Sequence, residues 1–318
     1  MELLFPKMRY DHTMPLADGR VEVPGVTLKV VPTTSMVWQD VPELRTGDFG
    51  LSDLNAGYWL SAIEAGWELI GLPLFIKRKS VYQYLFVRND AGIDAPADLA
   101  GKRIGTGSYP TGITIQLAGL LRHRHGVDTS SFRWVVNRGG AIFPLHKPTH
   151  IEVASGPSKP PWDRLVEGEV DAIITDISDG KAWEMLESHA EVRRLFDYVA
   201  EDKRAYDETG VYPVMHLIVM SKKLDREQPD LARKLYDAFE KAKDQAYADI
   251  LNDRAGFSVV YLRERLVEQT REWGDPWAYG IEANRSLIDS FVEYNEEQGI
   301  TSRKMADEEI FAAGTLDT

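Results

Sequence analysis

The chain contains no cysteine among its 318 residues. That removes disulfides, thiolate metal sites and a cysteine nucleophile together. No stretch approaches the roughly 18 consecutive apolar residues of a membrane span, so no membrane partner is expected. The N-terminal "MELLFPKMRYDHTMPL" lacks a basic segment followed by a long apolar run and a small-residue cleavage site. No secretory signal is visible there, and a cytoplasmic location is expected. Positive charge is scarce as well. The 37 Lys and Arg are outnumbered by 50 Asp and Glu, for a net charge of −13, and they are scattered rather than clustered. A nucleic-acid surface needs a concentrated positive field, so nucleic acid is excluded as a partner and any anionic ligand must be held by local donors. G-x-S-x-G, H-E-x-x-H and the kinase motifs are missing, and with them the common hydrolase and phosphotransferase signatures.

What is present is an ordinary globular composition, 43% hydrophobic and 27% charged. The length allows one large domain or two lobes with separate cores. Short apolar strands ("ELLF", "VTLKVV", "DFGLSDL", "LIGLPLF", "VYQYLFV", "KRIGTG", "FRWVVN", "VDAIITD") alternate with amphipathic helices, which is α/β layering. A helix is predicted from about Thr111, with Ile113, Leu117, Leu120 and Leu121 on one face and a stop at Gly126. The last third is helical, with Leu231, Leu235, Ala238, Phe239, Ala242 and Ala246 at helical spacing and a final long helix ending at Gly299. The Pro- and Gly-rich segment from Gly139 to Trp162 is expected to be a long irregular loop.

An internal echo organises the chain. "LRTGDFGLSDL" and "LVEGEVDAIITDI" both read as a helix end, a Gly, an acidic residue and an apolar strand ending in Asp. Two lobes on related βα plans would bring Ser52, Asp53 and Asn55 from one strand, and Asp176 from the other, to facing carboxyl edges, where open α/β folds bind ligands. "YDHTMPL" sets Asp11, His12 and Thr13 on the first βα connection, either at that edge or as ordinary loop and cap residues. "GTGSYPTG", between a strand and a helix, reads either as a capping turn or as an anion cradle built from Gly107, Ser108 and Thr111. Arg78, in "FIKRKSVYQYLFV", has the planar fork that clamps a carboxylate, or else it sits in a solvated turn. "HKPTH" (146 to 150) offers two metal ligands and no third. "VYPVMHLIVMS" (211 to 221) is a buried strand with His216 at its centre. Taken alone, His216 is a core histidine whose lost hydration must be replaced by structure or by substrate.

These stretches together resemble a two-lobed type 2 periplasmic-binding-protein-like fold, with two crossover strands and a C-terminal helical return. More specifically, "YDHTMPLADGRV", "LSDLNAGYW", "DETGVYPVMHLIVM" and "PWAYGIEANRSLIDSFVEYNEEQGIT" resemble the 4,5-dihydroxyphthalate decarboxylase family over nearly the whole chain. The resemblance implies a discontinuous lobe (1–95 plus 215–318), a second lobe (96–214), a ligand cleft between them, and hinge strands at 81–88 and 212–220. It places His216 at the cleft and implies decarboxylation of a hydroxylated aromatic acid, with 4,5-dihydroxyphthalate giving protocatechuate. His216, Asp11 and His12 are then the expected proton-transfer residues. Thr13, Ser52, Asp53, Asn55, Arg78, Gly107, Ser108, Thr111 and Asp176 are the expected substrate contacts. No cofactor is expected, although Asp11, His12, Asp53 and His216 are candidate ligands for a divalent metal. The expected partner is a small aromatic carboxylate, with homo-oligomerisation left open. A solute-binding protein or sensor for a small organic anion is the alternative.

Overall fold

The structure is a computed structural model, and it describes residues 1–6, 10–31, 42–137, 144–145, 147–155, 158–177, 179–254 and 257–318. Among the described residues, twelve strands form three sheets. β1 (Glu2–Pro6) and β2 (Thr27–Val31) make a parallel pair. β3 (Leu51–Asn55), β4 (Leu69–Gly71), β5 (Lys77–Arg78) and β12 (Val214–Ser221) make the second sheet, in which β12 runs antiparallel to all three of its neighbours. The third sheet has the order β11-β6-β10-β7-β8-β9. Its strands are β6 (Leu85–Arg88), β7 (Arg103–Thr106), β8 (Arg133–Val136), β9 (Ile151–Val153), β10 (Ala172–Ile174) and β11 (Val192–Arg194).

β12 is buried at every position, which is why its sequence is almost uninterruptedly apolar. One of its faces packs on Leu231, Leu235 and Phe239 of the helix Leu231–Leu251, through Ile218 and Met220. Leu217 and Val219 belong to a second, larger cluster. That cluster continues into the six-stranded sheet through Ile104, Val135 and Ile173, so the two halves do not have the separate cores expected from length.

The helix Gly112–His125 makes the junction. It is buried over all of residues 112–121, not along one face only. Two glycines allow this. A Cβ on Gly112 would lie 2.8 Å from the Val214 carbonyl, and one on Gly119 would lie 2.2 Å from the Tyr294 ring. The helix is capped as its sequence predicts, with the Thr111 side chain accepting from Thr114 N and Gly126 left-handed at φ 66°.

Two expectations are corrected. The segments expected as hinge strands lie in different sheets, β6 in the six-stranded one and β12 in the other. A 3-10 turn at Tyr82–Tyr84 separates β5 from β6, so the apparently continuous run is two pieces. The first passage between sheets thus falls between Arg78 and Leu85, ahead of the expected boundary at 95, and the second falls between Arg194 and Val214. The 139–162 segment is not wholly irregular either. Ile151–Val153 pairs in parallel with β8 as the edge strand β9, beyond the reach of the segment's prolines, and Pro161–Val166 is helical. Residues 139–143, 146 and 156–157 lie outside the described residues.

Asn55 stands where both halves meet. Its Oδ1 accepts from Gly57 N at 2.9 Å, at the start of the helix Ala56–Glu64, and from Gly112 N at 2.9 Å. Asn55→Ala should strip both buried amides of their acceptor and destabilise the fold by about 2–4 kcal/mol, read as a lower urea midpoint. Asn55→Asp, which keeps an acceptor at two helix N-termini, should recover most of that loss.

Candidate functional site

Strand periodicity builds the site. In an antiparallel pair, residues directly opposite share a face. His216 is opposite Asn55 on one side and Lys77 on the other. Asp53, two residues before Asn55, points the same way. The register of β5 with β12 shifts between Val214 and His216, and Lys79 follows just past the end of β5.

Contacts follow this geometry. His216 Nδ1 lies 2.5 Å from Asp53 Oδ1. The imidazole is nearly buried, and among the described residues its Nε2 has no hydrogen-bond partner while retaining access to solvent. From the other sheet, Asp176 follows β10 and reaches across. Lys79 Nζ donates to its two carboxylate oxygens at 3.0 and 3.2 Å, and Lys77 Nζ is 4.0 Å away. Burial lowers the Lys77 pKa and the nearby Lys79 charge adds to this, while Asp176 and Asp53 oppose it. Burial also pulls on Lys79, but Asp176 and Tyr84 outweigh it and hold that amine above its usual range. Burial raises the Tyr10 hydroxyl pKa, with Asp53 and Asp176 adding to the shift, so Tyr10 stands between the two acids. The facing edges expected from the internal echo are thus brought together, with Asp53 on one side and Asp176 on the other.

A cavity of about 330 Å³ opens beside Tyr10, Asp11, Lys77 and Lys79, with Arg265 and Trp277 also among its lining residues. His216 and Asp53 do not line it. Lys77 links the two regions, since its backbone pairs with His216 and its amine feels both Asp53 and Asp176.

Other expected contacts serve the scaffold. His12 is buried with both ring nitrogens facing oxygens, Nδ1 to Asp11 Oδ1 at 3.1 Å and Nε2 to the Ile76 carbonyl at 3.0 Å. That hydrogen bond from His12 is the main reason the Asp11 carboxyl sits below its usual range. Thr13 is buried and donates to the Tyr10 carbonyl, and Ser52 is buried with its hydroxyl 3.4 Å from the Asp53 carbonyl. The anion cradle is largely self-satisfied. Gly107 N donates to Thr175 Oγ1, Thr111 N to Thr114 Oγ1, Thr114 N to Thr111 Oγ1 and Gly112 N to Asn55. The Ser108 carbonyl accepts from Thr106 Oγ1.

Arg78 is held mainly by the protein's own acceptors. Its guanidinium is buried and donates to the Tyr212 carbonyl at 2.7 Å, the Ala278 carbonyl at 3.1 Å and Asn284 Oδ1 at 2.5 Å. Burial pushes its pKa down to about 10. Three of its donor contacts are thus spent on the protein itself, although Arg78 still lines the cavity together with Lys77 and Lys79.

The four metal candidates fall into two pairs, Asp11 with His12 and Asp53 with His216. Among the described residues, no three His, Asp or Glu side chains gather to hold an ion. His146 of "HKPTH" lies outside the described residues, and burial lowers the pKa of His150. No described helix is long and apolar enough to cross a membrane.

This architecture is that of the periplasmic ligand-binding proteins. The ligand binding component of an ABC-type import system from Staphylococcus aureus, solved with zinc bound, matches at TM-score 0.53 and 11% identity, over 99% of this chain and 98% of that one. The periplasmic aliphatic sulphonate binding protein SsuA of Escherichia coli matches at TM-score 0.52 and 12% identity, over 98% and 91%. By sequence, the family resemblance is borne out. The chain is 28% identical to the 4,5-dihydroxyphthalate decarboxylase of Comamonas testosteroni, over 97% of this chain and 96% of the relative. It is 30% identical to that of Pseudomonas putida, over 52% of this chain and 66% of the relative. No family model matches.

Replacing Arg78 with Lys should leave at least two of its three acceptors unfilled, because a single ammonium cannot span the fork. Stability should fall by about 2–4 kcal/mol in urea unfolding, with unchanged affinity for phthalate in the folded variant. Weakened binding by a stably folded Arg78→Lys protein would return Arg78 to the ligand site.

Proposed function

We propose that the protein is a carboxy-lyase acting on a hydroxylated aromatic dicarboxylate, 4,5-dihydroxyphthalate, to give protocatechuate and CO2. The observation that carries this is the Asp53–His216 pair, whose ring leaves Nε2 unpartnered on the strand that pairs with Lys77, in a chain related over its length to a decarboxylase of that compound.

Each substrate carboxylate is para to a hydroxyl. Withdrawing the hydroxyl proton pushes electron density onto the carboxylate-bearing carbon, which takes a proton before the bond to CO2 breaks and returns its electrons to the ring. The carbon therefore needs an acid and the hydroxyl an acceptor. Asp53 accepts the hydrogen bond from Nδ1–H of His216 and fixes the ring; in the imidazolium form Nε2–H gives its proton to the carbon, leaving a neutral ring with its remaining proton on Nδ1, and solvent restores the proton lost. Asp11, kept ionised by His12, accepts from the hydroxyl, while His12 itself has no nitrogen to spare. Lys77 and Lys79 hold the carboxylates.

Proton transfer alone can carry this chemistry, with no divalent ion in any step. Were a divalent ion used, His216 backed by Asp53 would be its best ligand, as a carboxylate behind an imidazole raises its basicity. The rival reading is a binding protein or sensor, which the shared fold favours. It predicts capture of the aromatic acid without turnover.

His216→Asn should fold, bind substrate at near-normal affinity and lose on the order of 10² to 10⁴ in CO2 release. Normal turnover by that variant would return His216 to a structural role, and binding without CO2 release by the unaltered protein would favour the rival. Turnover should also survive exhaustive chelation. Activity lost to the chelator and restored by a divalent ion would overturn the metal-free route.

A further inference from the structure

Lys79 is not waiting empty for a ligand. It directly follows β5 of the sheet that carries His216, while the carboxylate it grips, at 3.0 and 3.2 Å, comes from Asp176, just past the carboxyl end of β10 in the other sheet. Lys77 Nζ stands 4.0 Å from the same group. Both lysine side chains are mostly buried, at 23% and 27% exposure, whereas Asp176 is 37% exposed, with solvent on its open side. Lys79 also stacks its ammonium 5.3 Å from the Tyr84 ring centre, which anchors the cation more firmly than its partner.

We propose that Asp176 is a displaceable stand-in for one carboxylate of a vicinal aromatic dicarboxylate, and that Lys77 and Lys79 together make the site select two adjacent carboxylates over one. The inference rests on the reading of this cleft as the substrate site. A dicarboxylate exchanges the Lys79–Asp176 contact for its own and gains Lys77 as well. A monocarboxylate satisfies Lys77 and leaves Asp176 where it is. Loss of CO2 turns the first kind of ligand into the second, so Asp176 reclaims Lys79 as the product forms and helps to release it.

The test uses unhydroxylated phthalate and benzoate as inert probes, titrated calorimetrically against the full chain, Asp176→Asn, Lys79→Gln and the double variant. Asp176→Asn should tighten phthalate by roughly three- to tenfold, the range of one partly exposed ion pair, and tighten benzoate less. Lys79→Gln should erase most of the preference for phthalate. In the Lys79→Gln background, Asp176→Asn should change phthalate affinity by less than about twofold, because the two substitutions act on one contact. Equal gains in both backgrounds would mean that Asp176 only contributes a general negative field, and no gain in either would mean that it does not compete; both overturn the inference. CO2 release by the unaltered protein separates the two levels. Turnover with additive affinities sinks the stand-in alone, whereas neither binding nor turnover sinks the substrate reading with it.

Discussion

The amide oxygen of Asn55 is the point on which the rest of the structure turns. One acceptor serves two helix starts, Gly57 N in one half and Gly112 N in the other. The backbones approach closely enough for this only because both positions are glycine. A Cβ on Gly57 would fall 2.5 Å from the Thr111 Cα. Once Asn55 is held there, β3 and β12 are in register, and the Asp53–His216 contact follows from strand geometry with no further adjustment. The same oxygen draws the helix Gly112–His125 into the space between the sheets, which is why a single apolar cluster runs through both. A residue expected to touch substrate instead sets the register that places Asp53 and His216.

Electrostatics sorts the cations by burial. Arg78, Lys77 and Lys79 are neighbours in sequence, yet they differ in burial and partners where the short strand β5 ends and its register with β12 shifts. Arg78 is driven inward, and its delocalised, weakly hydrated fork is the cation best able to accept burial among carbonyls. The two lysines, more strongly hydrated, stay at the cleft, where Asp53 and Asp176 offset part of their desolvation. A protein with a net charge of −13 can thus concentrate positive charge at one edge without any basic run in its sequence.

Much of this was readable from the sequence. The helix caps at Thr111 and Gly126 follow from local chemistry, as do the buried strand around His216 and the paired acidic strand ends at Asp53 and Asp176. The failures share one cause, which is that side-chain partners are set by tertiary placement. The donors of "GTGSYPTG" look free in sequence and are spent on Thr175, Asn55 and one another. "VYQYLFV" reads as one strand, but its first residues curl into a turn that moves the remainder to another sheet.

The two histidine–aspartate pairs show how little separates scaffold from site. In each, an imidazole Nδ1 faces a carboxylate. His12 spends its other nitrogen on the Ile76 carbonyl, one residue before Lys77. It thereby pins the first βα connection to β5, and its ring stacks on Tyr10 with 5.7 Å between centres. His216 pairs through its backbone with Asn55 on one side and Lys77 on the other, and among the described residues its Nε2 serves no structural partner. Because that nitrogen keeps access to solvent, it is left without the desolvation cost of a sealed polar atom. The same chemical pair is therefore closed off at His12 and open at His216.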